Sequence, residues 1–553
     1  MASDRLIYLP LGGAGEIGMN CYVYGYGPED AERLIVVDLG VTFPDMDTTP
    51  GVDLILPDIS WLEARADRIE AIFITHAHED HVGALGHLWS KLKAPVYTRA
   101  FTSIHAMRKI EEHGGDPKAV HIASAYPSMI PAGPFQVSFL PVSHSIPESS
   151  GLVIDTPKGR LLHTGDFKLD QTPVLGEPFD PDLWADVAGD GLHALICDST
   201  NVFSQHPGRS EASVGPEIEK LIRSAKGMVV ATTFASNIAR LKTLAEAGER
   251  AGRSVCLLGR AMRRMVEAGV SSGVLADFPK TVQPEDARDI PRDHLMLIVT
   301  GSQGERRAAS AQLSRGKYLG LTMAEGDTFL FSSKTIPGNE AGVIRIMNAF
   351  SEQGVDVIDD ASGLYHVSGH ANRPDIKAVH DLTKPGMVIP MHGEHRHLRE
   401  HMKLAGRIPS VVAPNGTMLD ISGRTPEVAE YIETGRVYYD GKAYVGALDG
   451  VIRDRIRMAL NGHLTITLIL DEDGEAIGDP WCEAMGLPDM GTSNAPLVEI
   501  IEEDLSQFVG RSSAKTRRDD AALEEELRRV ARRSAESEIG KKPETTVIIS
   551  RLS

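Results

Sequence analysis

Cysteine is scarce in this chain: four residues, Cys21, Cys197, Cys256 and Cys482, are scattered through 553 positions. No two form a C-x-x-C pair. A disulfide framework is therefore not indicated, and a reducing compartment, the cytoplasm, fits. Long apolar runs are missing as well. No stretch of eighteen apolar residues occurs, so a transmembrane helix is not expected. The first twenty residues lack a basic start followed by an apolar segment, which argues against a secretory signal peptide. Internal repeats and long low-complexity tracts are absent. Positive charge is short: the formal net charge is −20. That balance argues against a protein coating nucleic acid non-specifically. It leaves open a deep site where cations and a few arginines make a local positive potential inside an acidic molecule. Basic clusters do occur at 260–264, 306–317 and 395–403, and each reads most simply as a solvated helix face.

What is present is ordinary globular material, 42% hydrophobic and 24% charged. The length suits three or four domains. Up to residue 207, short β-like runs alternate with turns and helical patterns. Leu6 to Leu11, Cys21 to Tyr26, Leu34 to Asp38, Ala71 to Thr75 and Ala194 to Asp198 are examples, several closed by Asp or His. From 208 to 370 longer helices alternate with buried strands, the pattern of a parallel-sheet α/β domain. The N-terminal pattern returns over 371–425, with Met387-Val-Ile-Pro-Met391 running into His392, as expected if 208–370 is inserted into the first domain. Residues 426–455 read as a linker with a hairpin turning at Asp440-Gly441. A small α/β domain over 456–553 follows, with a polar link from Ser512 to Asp520 and a last helix from Asp519 to Glu538.

The richest motif is Thr75-His-Ala-His-Glu-Asp-His81, which places His76, His78, Asp80 and His81 just beyond a buried strand. Three imidazoles and a carboxylate suit zinc. Two ions need more ligands, and other strand ends offer His144, Asp166 and His392. Each alone reads as a turn former or a satisfied polar group; together with the first motif they read as a metal constellation. Glu79 lies inside the motif but is not expected to ligate. A formal G-x-G-x-x-G, Gly13 to Gly18, with Asp38 twenty residues on, resembles a dinucleotide fingerprint. Its context fails, because a strand and not a helix follows Gly18.

The set T-H-A-H-E-D-H, S-H-S, T-G-D and M-H-G-E resembles the metallo-β-lactamase superfamily, and the insertion resembles its β-CASP nuclease group. Gly12 to Asn20, Phe234 to Asn237, Thr300 to Glu305, Ser332 to Asn339 and His366 to His370 are similar to segments of the ribonuclease J family, so the resemblance covers nearly the whole chain. Ala77 and Arg306 depart from the family's usual Gly and Pro without touching a ligand. The resemblance implies an α/β fold: a metallo-β-lactamase αββα sandwich (1–207 and 371–425), an inserted Rossmann-like β-CASP domain (208–370) and a small C-terminal oligomerisation-type domain. It implies a metal-dependent ribonuclease, an exo- and endonuclease on single-stranded RNA preferring 5′-monophosphate ends, in mRNA decay and rRNA maturation. It implies two Zn2+ per subunit, with Mn2+ or Mg2+ as alternatives. His76, His78 and His144 would bind one ion, Asp80, His81 and His392 the other, and Asp166 would bridge. His370 would be the general acid, oriented by Asp198; a helix cap is the competing reading of His370. Asp38 would brace a ligand, or merely cap a turn. Ala235, Ser236, Asn237 and His366, Val367, Ser368, Gly369, His370 would hold substrate phosphates, against ordinary helix capping. Phe43 would stack on a base or sit in a core. A homodimer or homotetramer is implied, with possible RNA-decay partners and no membrane.

The 226 residues between Asp166 and His392 speak against a small-molecule hydrolase, which has no need of a whole domain there. A DNA-processing nuclease of the same group and a non-catalytic RNA-binding scaffold remain the alternatives. The scaffold would be expected to lack a ligand, and none is missing.

Overall fold

A computed structural model describes residues 4–336 and 338–552; Pro337, within the family-like segment Ser332 to Asn339, lies outside the described residues. The chain divides into two compact units, Met1–Thr42 with Leu56–Arg436, and Phe43–Ile55 with Val437–Ser553.

The first unit is built on three large sheets. Arg5–Gly12, Cys21–Gly27, Arg33–Val37, Ile69–Phe73, Val96–Thr98 and Val120–Ile122 lie side by side in one eight-stranded sheet, joined at the far edge by Thr417–Asp420 and Glu427–Tyr431. Ile130–Ala132, Phe135–Pro141, Ser150–Thr156, Gly159–His163, Ala194–Asp198 and Val388–Met391 form a second sheet. Alternate residues of both sheets make one core: Leu6, Tyr8, Tyr22, Ile35 and Phe73 from the first meet Phe135, Phe139, Leu152, Leu161, Ile196 and Ile389 from the second. The outer face of the second sheet (Leu140, Val153, Leu162, Leu195, Val388) is covered by Trp184 and Val187 of helix Pro181–Ala188 and by Ile376 and Val379 of Arg373–Thr383. Helices Leu85–Leu92 and Ala100–Glu112 follow strands of the first sheet. This is the αββα sandwich expected from the sequence. Val388–Met391 pairs in parallel with Ala194–Asp198, so the return of the N-terminal pattern near 387 is a strand rejoining its own sheet.

The third sheet, within 226–358, is wholly parallel, in the order Thr281–Val282, Ser254–Leu258, Leu295–Val299, Val229–Thr232, Thr328–Phe331, Asp356–Ile358. Its four inner strands are nearly continuous buried runs because cores lie on both faces, while the two edge strands are only partly buried.

Two expectations are corrected. The segment 426–455 is not only a linker with a hairpin: Glu427–Tyr431 pairs antiparallel with Thr417–Asp420 and extends the eight-stranded sheet. All five of its residues are exposed, so it carries no apolar alternation to betray it. The polar link after Ser512 holds a short helix, Ala514–Arg518, capped by the Ser513 hydroxyl. The hairpin is present, with Tyr438 opposite Val445 and Asp440 opposite Ala443.

In the second unit, His463–Leu470 lies between Trp481–Met485 (antiparallel) and Glu544–Arg551 (parallel). Helices Leu497–Arg511 and Asp520–Ile539 bury Leu497, Ile501, Leu505, Leu523 and Leu527 against it. No described helix is long and apolar enough to cross a membrane.

One stability prediction arises in the first unit. His105 is buried on helix Ala100–Glu112, against the ring of Phe101. Burial, then Arg108 and Lys109, hold its pKa down at about 4. In the unfolded chain a histidine titrates near 6.5. Between these values the unfolded state binds more protons. The stability is therefore complete above about pH 6.5 and is lost as pH falls towards 4. Urea unfolding at pH 7 and pH 5 should show His105 contributing on the order of 1–2 kcal/mol to the loss. His105→Gln should flatten that slope; an unchanged slope would contradict the assignment.

Candidate metal centre

The motif after strand Ile69–Phe73 folds into a single turn, Glu79–Val82, so His76, His78, Asp80 and His81 project around one point. Gly40 lets this turn approach: a Cβ there would lie 1.6 Å from the Asp80 carbonyl oxygen. His144 follows strand Phe135–Pro141, Asp166 follows Gly159–His163, and His392 follows Val388–Met391. The structure gathers all seven into two groups that share Asp166: His76, His78, His144, Asp166, and Asp80, His81, Asp166, His392, with ligand atoms in each group within 4.8 Å of one another.

Outer hydrogen bonds fix which nitrogens face inward. His144 Nδ1 donates to the Gly369 carbonyl (2.6 Å), leaving Nε2 3.1 Å from His78 Nδ1. His76 Nδ1 meets Thr75 Oγ1 at 3.0 Å, and its Nε2 lies 3.0 Å from His78 Nδ1. His81 Nδ1 meets Asp38 Oδ2 at 2.7 Å, and its Nε2 lies 3.2 Å from Asp166 Oδ2 and 3.6 Å from Asp80 Oδ2. His392 Nε2 stands 3.5 Å from Asp80 Oδ2, and its Nδ1 2.7 Å from Asp166 Oδ1. Donor separations of 3.0–3.8 Å bracket the edge of about 3.3 Å that a tetrahedral shell with zinc–nitrogen bonds near 2.0–2.1 Å would have. The donor set fits metal ions.

The electrostatics agree. Burial, with the neighbouring histidines, holds His76 and His144 well below the usual histidine value, and burial brings His78 to about 4, so these rings keep their lone pairs. Across the site, burial opposes charge on His81 and His392, yet Asp166 and the other carboxylates outweigh it, and His392 is pushed up to about 10. Four buried or half-buried carboxylates, Asp38, Asp80, Asp166 and Asp198, thus converge where positive charge is needed.

Asp38 does more than cap a turn. It is fully buried, accepts from the Thr75 backbone and hydroxyl, and meets His81. Asp38 (φ 62) and His392 (φ 48) both hold left-handed backbone, strain of a kind concentrated at functional sites. His370 is no helix cap: the following helix is capped by Asn372. Its Nδ1 meets Asp198 Oδ2 at 2.8 Å and its Nε2 stands 3.9 Å from Asp166 Oδ2. Burial works against its charge, but Asp198 and then Asp166 raise its pKa above the ordinary value. Asp198 is itself held by the Thr200 N–H (2.8 Å). Glu79 is outside the cluster, paired with Lys109.

The phosphate candidates divide. Asn237 spends its side chain capping helix Ile238–Arg250, accepting from the Arg240 N–H (2.9 Å). Ala235 and Ser236 are half-buried just before it. His366 is held down at about 3 by burial, then Arg240, Lys334, Lys168 and Arg209, so this loop lies in a cationic neighbourhood. Val367 is buried in the core of the insertion, and the Ser368 hydroxyl accepts from Asn201 (2.7 Å). Phe43 is 64% exposed and belongs to the other unit; it is not a core residue.

Two neighbours of these sites are not among the site residues the sequence offers. Asn20, at the end of the glycine-rich turn, places Nδ2 3.0 Å from the Asp80 carbonyl and 3.0 Å from His81 Nε2, while Oδ1 accepts from Tyr22 (2.7 Å). The turn itself is a backbone device: Gly13 has φ 83, and a Cβ there would meet Asn20 Oδ1 at 2.2 Å. Arg240, fully buried, pairs with Glu211 (2.7 and 2.9 Å) and donates to the Ser332 and Tyr365 carbonyls beside His366.

Four family models match the chain: the metallo-β-lactamase superfamily over residues 14–196, the ribonuclease J β-CASP domain over 226–350, the RNA specificity domain of Zn-dependent metallo-hydrolases over 362–412, and the ribonuclease J C-terminal domain over 450–552. Ribonuclease J of Sinorhizobium meliloti is 39% identical over 100% of this chain and 98% of its own. That of Mycolicibacterium smegmatis is 36% identical over 91% and 90%, and that of Thermus thermophilus 34% over 85% and 83%.

Proposed function

The chain belongs to the ribonuclease J family, and from that premise we propose that it is a two-zinc ribonuclease hydrolysing single-stranded RNA, 5′-to-3′ from 5′-monophosphate ends and also endonucleolytically, in cytoplasmic mRNA decay and rRNA maturation. The observation that carries this reading is the convergence of seven metal-ligand side chains and the His370–Asp198 pair on one carboxylate, Asp166.

His76, His78 and His144 would hold one ion, Asp80, His81 and His392 the other, and Asp166 both. Such ions supply Lewis acidity that makes water a nucleophile near neutral pH and neutralises charge developing on a phosphodiester. The chain's own groups do the rest. Asp38 holds His81 through Nδ1, Asn20 donates to the Asp80 carbonyl, and the Gly369 carbonyl holds His144. As the water oxygen bonds to phosphorus its proton passes to the Asp80 carboxylate and on to solvent, the bond to the 3′-oxygen breaks, and His370 Nε2 gives its proton to that oxygen. Asp198 keeps His370 turned and charged for the purpose. The products are a 3′-hydroxyl and a new 5′-monophosphate, the end this reading prefers. His366, Ser368, Gly369 and the Ala235–Asn237 turn would hold that phosphate, with Lys334 and Arg209 supplying charge nearby. Phe43 is kept as a candidate base-stacking residue on its exposure.

Matched RNAs bearing 5′-monophosphate, 5′-triphosphate or 5′-hydroxyl test the end preference. Stepwise mononucleotide release should be fastest from the monophosphate; equal rates from all three would contradict it. A homodimer or homotetramer is part of the proposal, supported by exposed Trp481 and Met485 on the edge strand of the C-terminal sheet. The full chain should elute as a dimer or larger on gel filtration with light scattering, and a monomer at micromolar concentration would refute this.

A further inference from the structure

Away from these seven residues, another set of ligand atoms converges in the buried interior. Cys197 on strand Ala194–Asp198, His380 on helix Arg373–Thr383 and His401 on helix His395–Ala405 bring one sulfur and two ring nitrogens within 4.8 Å of one another. All three residues are no more than 1% exposed. The helix carrying His401 reads from sequence as a solvated basic face; in the structure His397 and His401 point inward.

Hydrogen bonding leaves this set incomplete. His401 Nδ1 meets the Ser199 hydroxyl at 2.9 Å, and His401 Nε2 lies 3.0 Å from His380 Nε2. His380 Nδ1 has no partner among the described residues. Whichever way the proton between the two rings points, His380 Nδ1 stays unsatisfied, which a buried polar atom does only at a cost. Burial and then Lys377 hold His380 down at about 4, and burial, then His380 and Arg373, hold His401 well below the usual value, so both rings are neutral and keep lone pairs. A thiol with two neutral imidazoles is the donor chemistry of zinc and similar borderline-soft divalent ions.

We propose that Cys197, His380 and His401 form a structural metal site, distinct from the catalytic cluster, that takes one zinc ion. On binding, the Cys197 thiol releases its proton to solvent and its sulfur bonds to the ion. The positive charge that remains lies beside the carboxylate of Asp198. The site would tie together the three segments that carry Asp198, His370 and His392: the strand ending at Asp198, the helix after His370 and the helix after His392. It does not depend on the substrate or end preference of the enzyme.

Zinc K-edge X-ray absorption on the full chain, produced in zinc-supplemented medium, tests the site. The seven catalytic ligands include no sulfur, so a sulfur scatterer at about 2.3 Å is diagnostic. The expected result is that shell in the wild-type protein, its loss in Cys197→Ala, and one zinc fewer per chain by elemental analysis. His380→Leu should lower zinc content in the same way. A wild-type spectrum with only nitrogen and oxygen neighbours overturns the proposal, even if the variants fail to fold. So does a sulfur shell that survives in folded Cys197→Ala.

Discussion

His370→Ala should lower the single-turnover rate of RNA cleavage by about 10²–10⁴-fold, the usual worth of general acid catalysis, while metal content stays that of the wild type. His370 Nδ1 is committed to Asp198 at 2.8 Å, so its free nitrogen is Nε2, which stands 3.9 Å from Asp166 Oδ2. It belongs to neither ligand group of the first seven residues, but its ring nitrogen also lies within 4.8 Å of ligand atoms of Asp166, Asp198 and His392, so metal content decides between donor and ligand. Burial opposes charge on the ring, but Asp198 and then Asp166 shift its pKa upward, the direction a proton donor needs. Asp198→Asn should act in the same direction by turning the ring to the wrong tautomer. The loss in both variants should shrink for substrates whose 3′ leaving group is a better one, because a good leaving group needs no proton. Loss of metal in His370→Ala would make the residue a ligand, and a rate within twofold of wild type would remove it from the chemistry.

Asp166→Ala should have the larger effect, abolishing activity by roughly 10⁴-fold or more and lowering metal content. This carboxylate is the shared vertex of both ligand groups. Oδ1 accepts from His392 at 2.7 Å, and Oδ2 lies 3.2 Å from His81 Nε2 and 3.8 Å from both His76 Nε2 and His144 Nε2. Of the seven ligand candidates, it alone belongs to both of these groups. Circular dichroism should show the sandwich intact, since the core strands on either side of Asp166 are apolar. Two ions retained at wild-type affinity would contradict the bridging role.

Much of this site is legible in the sequence because it lies at strand ends. A histidine or aspartate that closes an apolar run leaves a visible break in the pattern, as His144, Asp166 and His392 do. The sandwich and its interrupted sheet are legible for a similar reason: Met387–Met391 repeats the apolar pattern of the N-terminal strands, and pairs with Ala194–Asp198. What stays hidden has no periodic mark. Asn20 looks like the tail of a glycine turn, and only the fold brings it to His81. The Arg240–Glu211 pair spans 29 residues, with charges that look like ordinary helix surface. Glu427–Tyr431 is fully exposed, so backbone pairing alone makes it a strand. Asn237 is open to two readings in the sequence, and its side chain proves to be a helix cap.

Under the proposed function, metal held by the seven-residue cluster makes this chain an RNA hydrolase. The most direct test is single-turnover cleavage of one single-stranded sequence, as RNA and as DNA, by chelator-treated protein before and after zinc or manganese is restored. No cleavage is expected before restoration, with rapid cleavage of the RNA after it and much slower cleavage of the DNA. RNA cleavage that survives chelation, or a preference for the DNA, would contradict the proposed function.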